Sequence, residues 1–252
     1  MTSRDIDTRP LHQRIAADLR DEIMSGDLAA GTALPSTAKL TERFGASNAT
    51  VQKALRILKD EGLVVGRAGA SVRVREHRQR TMYPSEYMQP AEPGHPYRWI
   101  AHAAERGLTA GSRLLDVREE APPADVANAL GLAPGETAIL RSQILTLDDE
   151  PAELVASYYP LDIAHGTPLA ECVRIRGGTP TLLAEMGFAP RSAVDLVSAR
   201  VPTQEQYEAL RLPSDLPVLR VFRVVRTNDD RPIEVTVIAK AGHLYEQQYT
   251  VL

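Results

Sequence analysis

The chain has only one cysteine, Cys172, so no intrachain disulfide can form and a reducing compartment is expected. Its six histidines are scattered without the spacing of metal ligands, so we expect no metal and no other cofactor. No apolar run approaches the roughly 18 residues that a membrane span needs. The Walker-type phosphate loop, G-x-S-x-G and H-E-x-x-H are also missing, which argues against the enzyme classes that depend on them.

The composition is that of a globular protein long enough for two domains, with 252 residues, 43% hydrophobic and 25% charged. The net charge of −4 conceals a strong asymmetry. Residues 36–80 hold ten lysines and arginines against four acids, whereas residues 81–252 hold 15 against 23. A basic segment of this kind attracts phosphate, and the acidic remainder is expected to face away from nucleic acid.

The stretch from Leu34 to Val74 predicts a helix, a tight turn, a second helix and a β-hairpin. Ser36 is suited to cap a helix that runs through Phe44, and Ser47 repeats the signal for a helix that stops at Gly62. Two short helices joined by a glycine-containing turn indicate a helix-turn-helix, whose second helix faces base edges in the major groove. The pattern alone is also compatible with a small helical core that carries a hairpin.

The predicted DNA-binding residues lie on both helices and on the hairpin tip, where Arg67 is placed to reach phosphate or a minor groove. They are Ser36, Thr37, Lys39, Ser47, Asn48, Ala49, Thr50, Gln52, Lys53, Arg56, Arg67 and Gly69.

The run PLHQRIAADLRDEIMSGDLAAGTALPS, the two helices and the EGLVV hairpin resemble the GntR family of bacterial transcription regulators, which begin with a winged helix-turn-helix. The resemblance covers about the first seventy residues. Family members commonly carry arginines where this chain has Asn48 and Gln52. Because Asn and Gln suit bidentate contact with adenine, we predict an operator richer in A·T than the guanine-centred family site.

Four prolines between Pro84 and Pro96 are typical of a linker. The predicted organisation is a flexible arm at 1–9, a DNA-binding domain at 10–76, a linker at 77–96 and a second domain at 97–252.

The second domain contains an internal repeat with a period near 80 residues, each copy reading as strand, short helix and hairpin. Two such copies predict one antiparallel sheet with flanking helices, an α+β fold. The L-G-L-x-x-G-E, D-D-E-P, S-Y-Y-P and R-P-I-E segments resemble the UTRA ligand-sensing domain of the HutC branch, whose fold is like chorismate lyase. The resemblance implies a cytoplasmic homodimer that binds a double-stranded DNA operator and a small-molecule effector. The missing catalytic motifs predict no enzyme activity, and the lack of a long apolar run predicts no membrane partner.

The candidate effector-binding residues are polar or charged positions on the predicted strands: Arg141, Gln143, Ser157, Tyr158, Arg223, Glu234 and Thr236. Glu153 occupies the place of Glu234 in the first repeat, but we expect it to face solvent. Related regulators of phosphorylated sugars tend to have alternating arginines on the strand before the first turn, where this chain has Gln143 and Leu145. A sugar-phosphate effector is therefore not favoured.

The leading interpretation is a ligand-responsive regulator, a repressor that binds a two-fold symmetric operator. One alternative is an effector-independent regulator, such as a plasmid-type autoregulator, which the missing pocket arginines would suit. Another is an enzyme on the lyase-like fold, with Arg141 and Glu234 as electrophile and acid or base.

Overall fold

A computed structural model describes residues 7–66, 71–76, 79–92, 94–214 and 216–249. The chain divides after Arg80 into two compact units. Among the described residues, no helix is both long enough and apolar enough to cross a bilayer.

The N-terminal unit consists of three helices and a short hairpin, which confirms the helix-turn-helix prediction. Its elements are α1 (Leu11–Ser25), α2 (Thr37–Phe44), α3 (Asn48–Asp60), β1 (Val64–Val65) and β2 (Arg73–Val74). The Ser36 hydroxyl accepts a hydrogen bond from the backbone N–H of Lys39 and so caps α2. Gly45 follows α2 with φ 57°, a left-handed conformation that favours glycine and lets the chain turn into α3. Apolar residues of all three helices and the hairpin form one core.

The C-terminal unit contains a six-stranded antiparallel sheet and a separate two-stranded pair. Its elements are β3 (Arg80–Met82), α4 (Pro84–Tyr87), α5 (Arg98–Glu105), β4 (Ala110–Glu120), α6 (Ala124–Leu130), β5 (Ala138–Leu147), β6 (Glu150–Pro160), α7 (Leu161–Ala164), a 3-10 helix (Pro168–Ala170), α8 (Thr179–Glu185), β7 (Ser192–Arg200), α9 (Gln204–Ala209), β8 (Val218–Arg226), β9 (Pro232–Ala241) and β10 (Tyr245–Gln247).

The strand order β4-β5-β6-β9-β8-β7 reflects the sequence repeat. Each repeat supplies three consecutive antiparallel strands, and the two halves meet where β6 pairs with β9. Ala156 is paired with Val237 at the centre of this seam. The sheet is therefore nearly two-fold symmetric about the seam, and it confirms the α+β prediction.

Helices cover both faces of the sheet. Val126 and Leu130 of α6 pack with Tyr158, Phe222 and Val235 on one face. Trp99 of α5 belongs to a second cluster, with Val155 and Ile238, whose side chains alternate to the other face.

Part of the stretch that we predicted to be a linker is folded into the C-terminal unit. Thr81 donates to Glu246 at 2.7 Å, and the Met82 carbonyl accepts from the backbone N–H of Gln248. Pro84 occupies the first turn of α4, where the N–H that proline lacks has no intrahelical partner to lose. One of the prolines that are typical of a spacer thus fits this short helix.

Candidate nucleic-acid interface and ligand pocket

The amino end of α3 presents a polar, solvent-facing surface. Ser47 caps the helix by accepting a hydrogen bond from the Thr50 backbone N–H at 3.2 Å. The side chains of the next turns that point outward are Asn48, Ala49, Gln52, Lys53 and Arg56. Val51, Ala54, Leu55 and Leu58 take the opposite side and are buried in the core. This spacing leaves the polar side of α3 accessible to a duplex.

Gln52 is linked to the preceding helix. Its side-chain nitrogen donates to the hydroxyl oxygen of Thr37, the first residue of α2, at 3.1 Å. The bond uses one of the two amide hydrogens and leaves the other hydrogen and the carbonyl oxygen available, which is the donor-acceptor pair that adenine matches.

The remaining predicted DNA-binding residues are distributed around this surface. Ser36 and Lys39 are exposed at the start of α2, and Thr37 and Thr50 are half-buried. Arg67 and Gly69, at the predicted hairpin tip, lie outside the described residues.

An ion pair holds α1 beside the end of α3. The Arg20 guanidinium donates to both carboxylate oxygens of Glu61, at 2.9 and 2.6 Å, and only 3% of Glu61 is exposed. A two-point contact of this kind fixes orientation as well as distance.

In the C-terminal unit, a row of polar side chains runs across one face of the sheet. Strand register sets Ser157 opposite Thr236, Thr236 opposite Arg223 and Arg223 opposite Asp195. Directly paired residues of antiparallel strands point to the same face, so four strands contribute to one polar surface.

Above this row lies a cavity of about 60 Å³, which we call the polar cavity. Five of the seven candidate effector residues line it: Gln143, Ser157, Arg223, Glu234 and Thr236. Its roof includes Met88, Tyr97, Thr179, Pro180 and Pro190.

Glu234 is the central carboxylate of the polar cavity. One of its oxygens accepts hydrogen bonds from the hydroxyls of Ser157, at 3.1 Å, and Thr236. Burial raises the pKa of Glu234 above its usual range, although these hydroxyls and the charge of Arg223 oppose the shift. Protonation of this group is therefore easier than in water.

Arg223 forms an ion pair with an aspartate of the neighbouring strand. Its guanidinium donates to both oxygens of Asp195 at 2.6 Å, and the Tyr249 hydroxyl donates to the same carboxylate at 2.8 Å. Burial alone would raise the pKa of Asp195, but the hydrogen bonds and charge of Arg223 outweigh it and lower that pKa. The pair is a charge-balanced unit at the wall of the polar cavity.

Our expectation that Glu153 faces solvent is wrong. Its side chain is 1% exposed and forms an ion pair with the ammonium of Lys240, which is 0% exposed. The two residues are directly opposite each other in the β6–β9 register. The sequence signal for this burial was the alternation of side chains between the two faces of a buried strand. Glu153 and Lys240 each alternate with residues of the opposite face.

Arg141 and Tyr158 do not line the polar cavity, although the β5–β6 register sets Arg141 opposite Ser157 on the same face of the sheet. Arg141 donates to the backbone carbonyls of the loop around the 3-10 helix, namely those of Pro168, Leu169, Glu171 and Val173, at 2.7–3.0 Å. Tyr158 follows Ser157 on the strand and so points to the other face, against α6. Both side chains have packing and bonding roles in the fold.

A larger opening, which we call the apolar cleft, adjoins the polar cavity. It has a volume of about 680 Å³ and shares Met88, Pro190 and Val225 with the polar cavity. Further apolar lining comes from Pro84, Ala193 and Val197, while Arg191 and Asp195 are its charged members. Together, the polar cavity and the apolar cleft form a binding space that is polar at one end and apolar along the rest.

Comparison with known proteins assigns both units. The model for bacterial regulatory proteins of the gntR family matches residues 11–74, and the UTRA domain model matches residues 105–246. The HTH-type transcriptional regulator GgaR of Escherichia coli (strain K12) is 25% identical over 244 residues, which cover 95% of this chain and 90% of that protein. The HTH-type transcriptional repressor NagR of Bacillus subtilis (strain 168) is 27% identical over 155 residues, 62% of this chain and 60% of NagR. A crystal structure of a GntR-family transcriptional regulator superposes with a TM-score of 0.62 at 25% identity, covering 97% of this chain and 98% of that one.

Proposed function

Because the chain belongs to the GntR family and carries a UTRA domain, it is a DNA-binding transcriptional regulator, and we propose that it is a homodimeric repressor controlled by a small molecule. In this proposal, α3 reads the major groove and the polar cavity of the C-terminal unit receives the effector. The effector changes operator affinity to the extent that it binds one state of the dimer more tightly than the other.

The observation that carries the DNA-binding part is the exposed polar side of α3. Asn48 and Gln52 face outward, and Lys53 and Arg56 flank them with positive charge. Neutral amides are suited to adenine edges, and the neighbouring cations are suited to phosphates. This combination supports direct base readout by a helix that is anchored on the DNA backbone. The similarity to NagR, a transcriptional repressor, supports repression as the direction of control.

The operator is testable by selection from random duplexes, with footprinting of the promoter upstream of the chain's own gene as an independent readout. We expect two half-sites with two-fold symmetry and A·T pairs at the contacted positions. Affinity should fall steeply with salt, because phosphate contacts release counterions. A selected core that depends on guanine would overturn the adenine assignment, and specific binding that ignores salt would overturn the interface itself.

The effector part is supported by the polar cavity, where hydroxyl, amide and carboxylate groups from four strands converge. Binding there is tested by screening metabolites for a rise in melting temperature, since a ligand that binds only the folded state stabilises it by mass action. An effector-independent regulator would show no such ligand, whereas the same screen repeated with operator DNA would show which ligands alter DNA affinity.

The enzyme alternative required Arg141 and Glu234 to act on one substrate. Arg141 instead holds four backbone carbonyls of a loop, and Glu234 lies in the polar cavity. The matched domains and relatives are transcriptional regulators.

A further inference from the structure

The two repeats place one glutamate each on the same face of the sheet, but they give it different partners. Glu153 of the first repeat corresponds to Glu234 of the second. Across the β6–β9 seam, Glu153 is paired with Lys240. Tyr158 is paired with Val235. Continuing the same antiparallel register by one residue sets Tyr159 opposite Glu234. The residue that mirrors Lys240 is therefore Tyr159.

This replacement removes a positive charge from one side of the seam. Tyr159 is fully buried, and burial followed by the charge of Glu234 raises the pKa of its phenol well above 10, so the side chain is neutral. The hydroxyls of Ser157 and Thr236 donate hydrogen bonds to Glu234, and a side-chain hydrogen bond from Tyr159 also opposes the rise that burial causes in the pKa of this carboxyl. One glutamate thus has an ammonium opposite it, and its counterpart has a neutral phenol.

The charge balance of the polar cavity depends on Glu234. Its charged lining residues are Glu153, Arg223 and Glu234. Lys240 neutralises Glu153, and Asp195 neutralises Arg223 through two hydrogen bonds at 2.6 Å. An anionic ligand would have to separate Arg223 from Asp195, and breaking such a buried pair is costly. Arg141, which lies opposite Ser157 on the same face, is not part of the lining and donates to backbone carbonyls. Among the charged lining residues, a cationic ligand would complete the balance.

The shape of the site adds a second requirement. The polar cavity, at about 60 Å³, has room for a small head group, whereas the adjoining apolar cleft measures about 680 Å³. Met88, Pro190 and Val225 form the wall that the two spaces share. A ligand that fills both must be polar at one end and apolar along its body.

Resting on the proposed effector role of this pocket, we propose that the ligand is an amphipathic primary amine. Its ammonium binds the Glu234 carboxylate, in the manner of Lys240 at Glu153, and its apolar body lies in the apolar cleft.

The test uses three probes of equal chain length, hexylamine, hexanol and hexanoate, in titrations of the full-length chain followed by melting temperature and calorimetry. Hexylamine should bind, and hexanol should bind roughly tenfold or more weakly because it lacks the charge-assisted hydrogen bond. Hexanoate should be weaker still. Equal binding of hexylamine and hexanol to the natural protein would overturn the proposal without any variant.

Two near-isosteric variants locate the interaction. Glu234→Gln should weaken hexylamine roughly tenfold or more and leave hexanol unchanged, while Glu185→Gln, at an exposed position of α8, should leave both unchanged. The hexanol titration reports whether the Glu234→Gln pocket is still folded. Full hexylamine affinity in Glu234→Gln would overturn the assignment.

Operator binding separates this inference from the proposed function. If the chain binds its operator and responds to a different metabolite at the polar cavity, the amine assignment is wrong and the regulator assignment stands. If hexylamine binds through Glu234 but no operator can be selected, the regulatory proposal fails while the ligand chemistry holds.

Discussion

The side-chain nitrogen of Gln52 donates a hydrogen bond to the hydroxyl of Thr37 at 3.1 Å, so the residue of α3 that we propose to read a base is held by the first residue of α2. This bond restricts rotation of the amide in the absence of DNA, and in the proposed complex it would reduce the entropy lost when the amide contacts a base.

We predict that Thr37→Val reduces discrimination between the selected operator and a version with G·C at the Gln52 contact. Valine has the same shape but cannot accept the hydrogen bond, so the amide plane is no longer fixed. The expected loss is roughly 2- to 10-fold, the value of one neutral hydrogen bond. Competition measured by fluorescence anisotropy checks it. Thr37→Ser, which keeps the hydroxyl, should behave as the natural protein, and unchanged discrimination in Thr37→Val would contradict the orienting role.

We predict that Lys53→Gln weakens all duplexes to a similar extent and makes binding less sensitive to salt. If Lys53 contacts one phosphate, the slope of log affinity against log salt should fall by about 0.9. Lys59→Gln, at the other end of α3, is the matched control and should leave the slope unchanged. A change in sequence preference on Lys53→Gln would instead indicate a base contact.

We predict that Glu61→Gln destabilises the N-terminal unit by about 2 kcal/mol or more, because it leaves the partly buried Arg20 guanidinium without its carboxylate. Glu22→Gln, which breaks the exposed pair with Arg43, should cost about 1 kcal/mol or less. Hydrogen exchange of α1 and α3 amides in the full chain measures both. Equal losses of unfolding free energy in the two variants would contradict a larger contribution from the Arg20–Glu61 ion pair.

We predict that Lys240→Met destabilises the C-terminal unit by about 3–5 kcal/mol, since the Glu153 carboxylate would remain buried without a counter-charge. Adding Glu153→Leu should recover much of the loss. The single tryptophan, Trp99, lies in the core of this unit, so its fluorescence during urea unfolding reports the free energy of unfolding. Additive effects of the two substitutions would exclude coupling between the side chains.

We predict that Glu234 makes the C-terminal unit less stable as pH rises. Its pKa in the folded state lies above the ordinary value, so the stabilisation is complete below the unfolded pKa of about 4.3 and is lost as pH rises through the folded pKa. Arg223, Tyr159 and Tyr97 are the titratable groups that face it. Glu234→Gln should remove this part of the pH dependence in the same unfolding assay, and parallel profiles for the two proteins would contradict it.

The sequence predicted the N-terminal unit well because its signals are local. The Ser36 and Ser47 caps and the turn at Gly45 are each determined by a few neighbouring residues. The repeat in the second half was equally informative, since two copies of strand, helix and hairpin specify a symmetric sheet.

The candidate pocket was predicted less completely because it depends on contacts between distant strands. The sequence pattern favours both Ser157 and Tyr158 as effector-binding residues, although neighbouring strand residues point to opposite faces. The partner of Glu153 could not be known without the register of the β6–β9 seam. Arg141 bonds to backbone carbonyls of a loop, for which no sequence pattern exists.

The meeting of the two repeats at β6 and β9 also has a kinetic consequence. Each half is a meander of neighbouring strands that closes short loops, whereas the seam brings together strands that are some 80 positions apart. Joining the halves is expected to be the slow step of assembly. A ligand that binds residues of both β6 and β9 would connect the two halves and lengthen the lifetime of the native sheet.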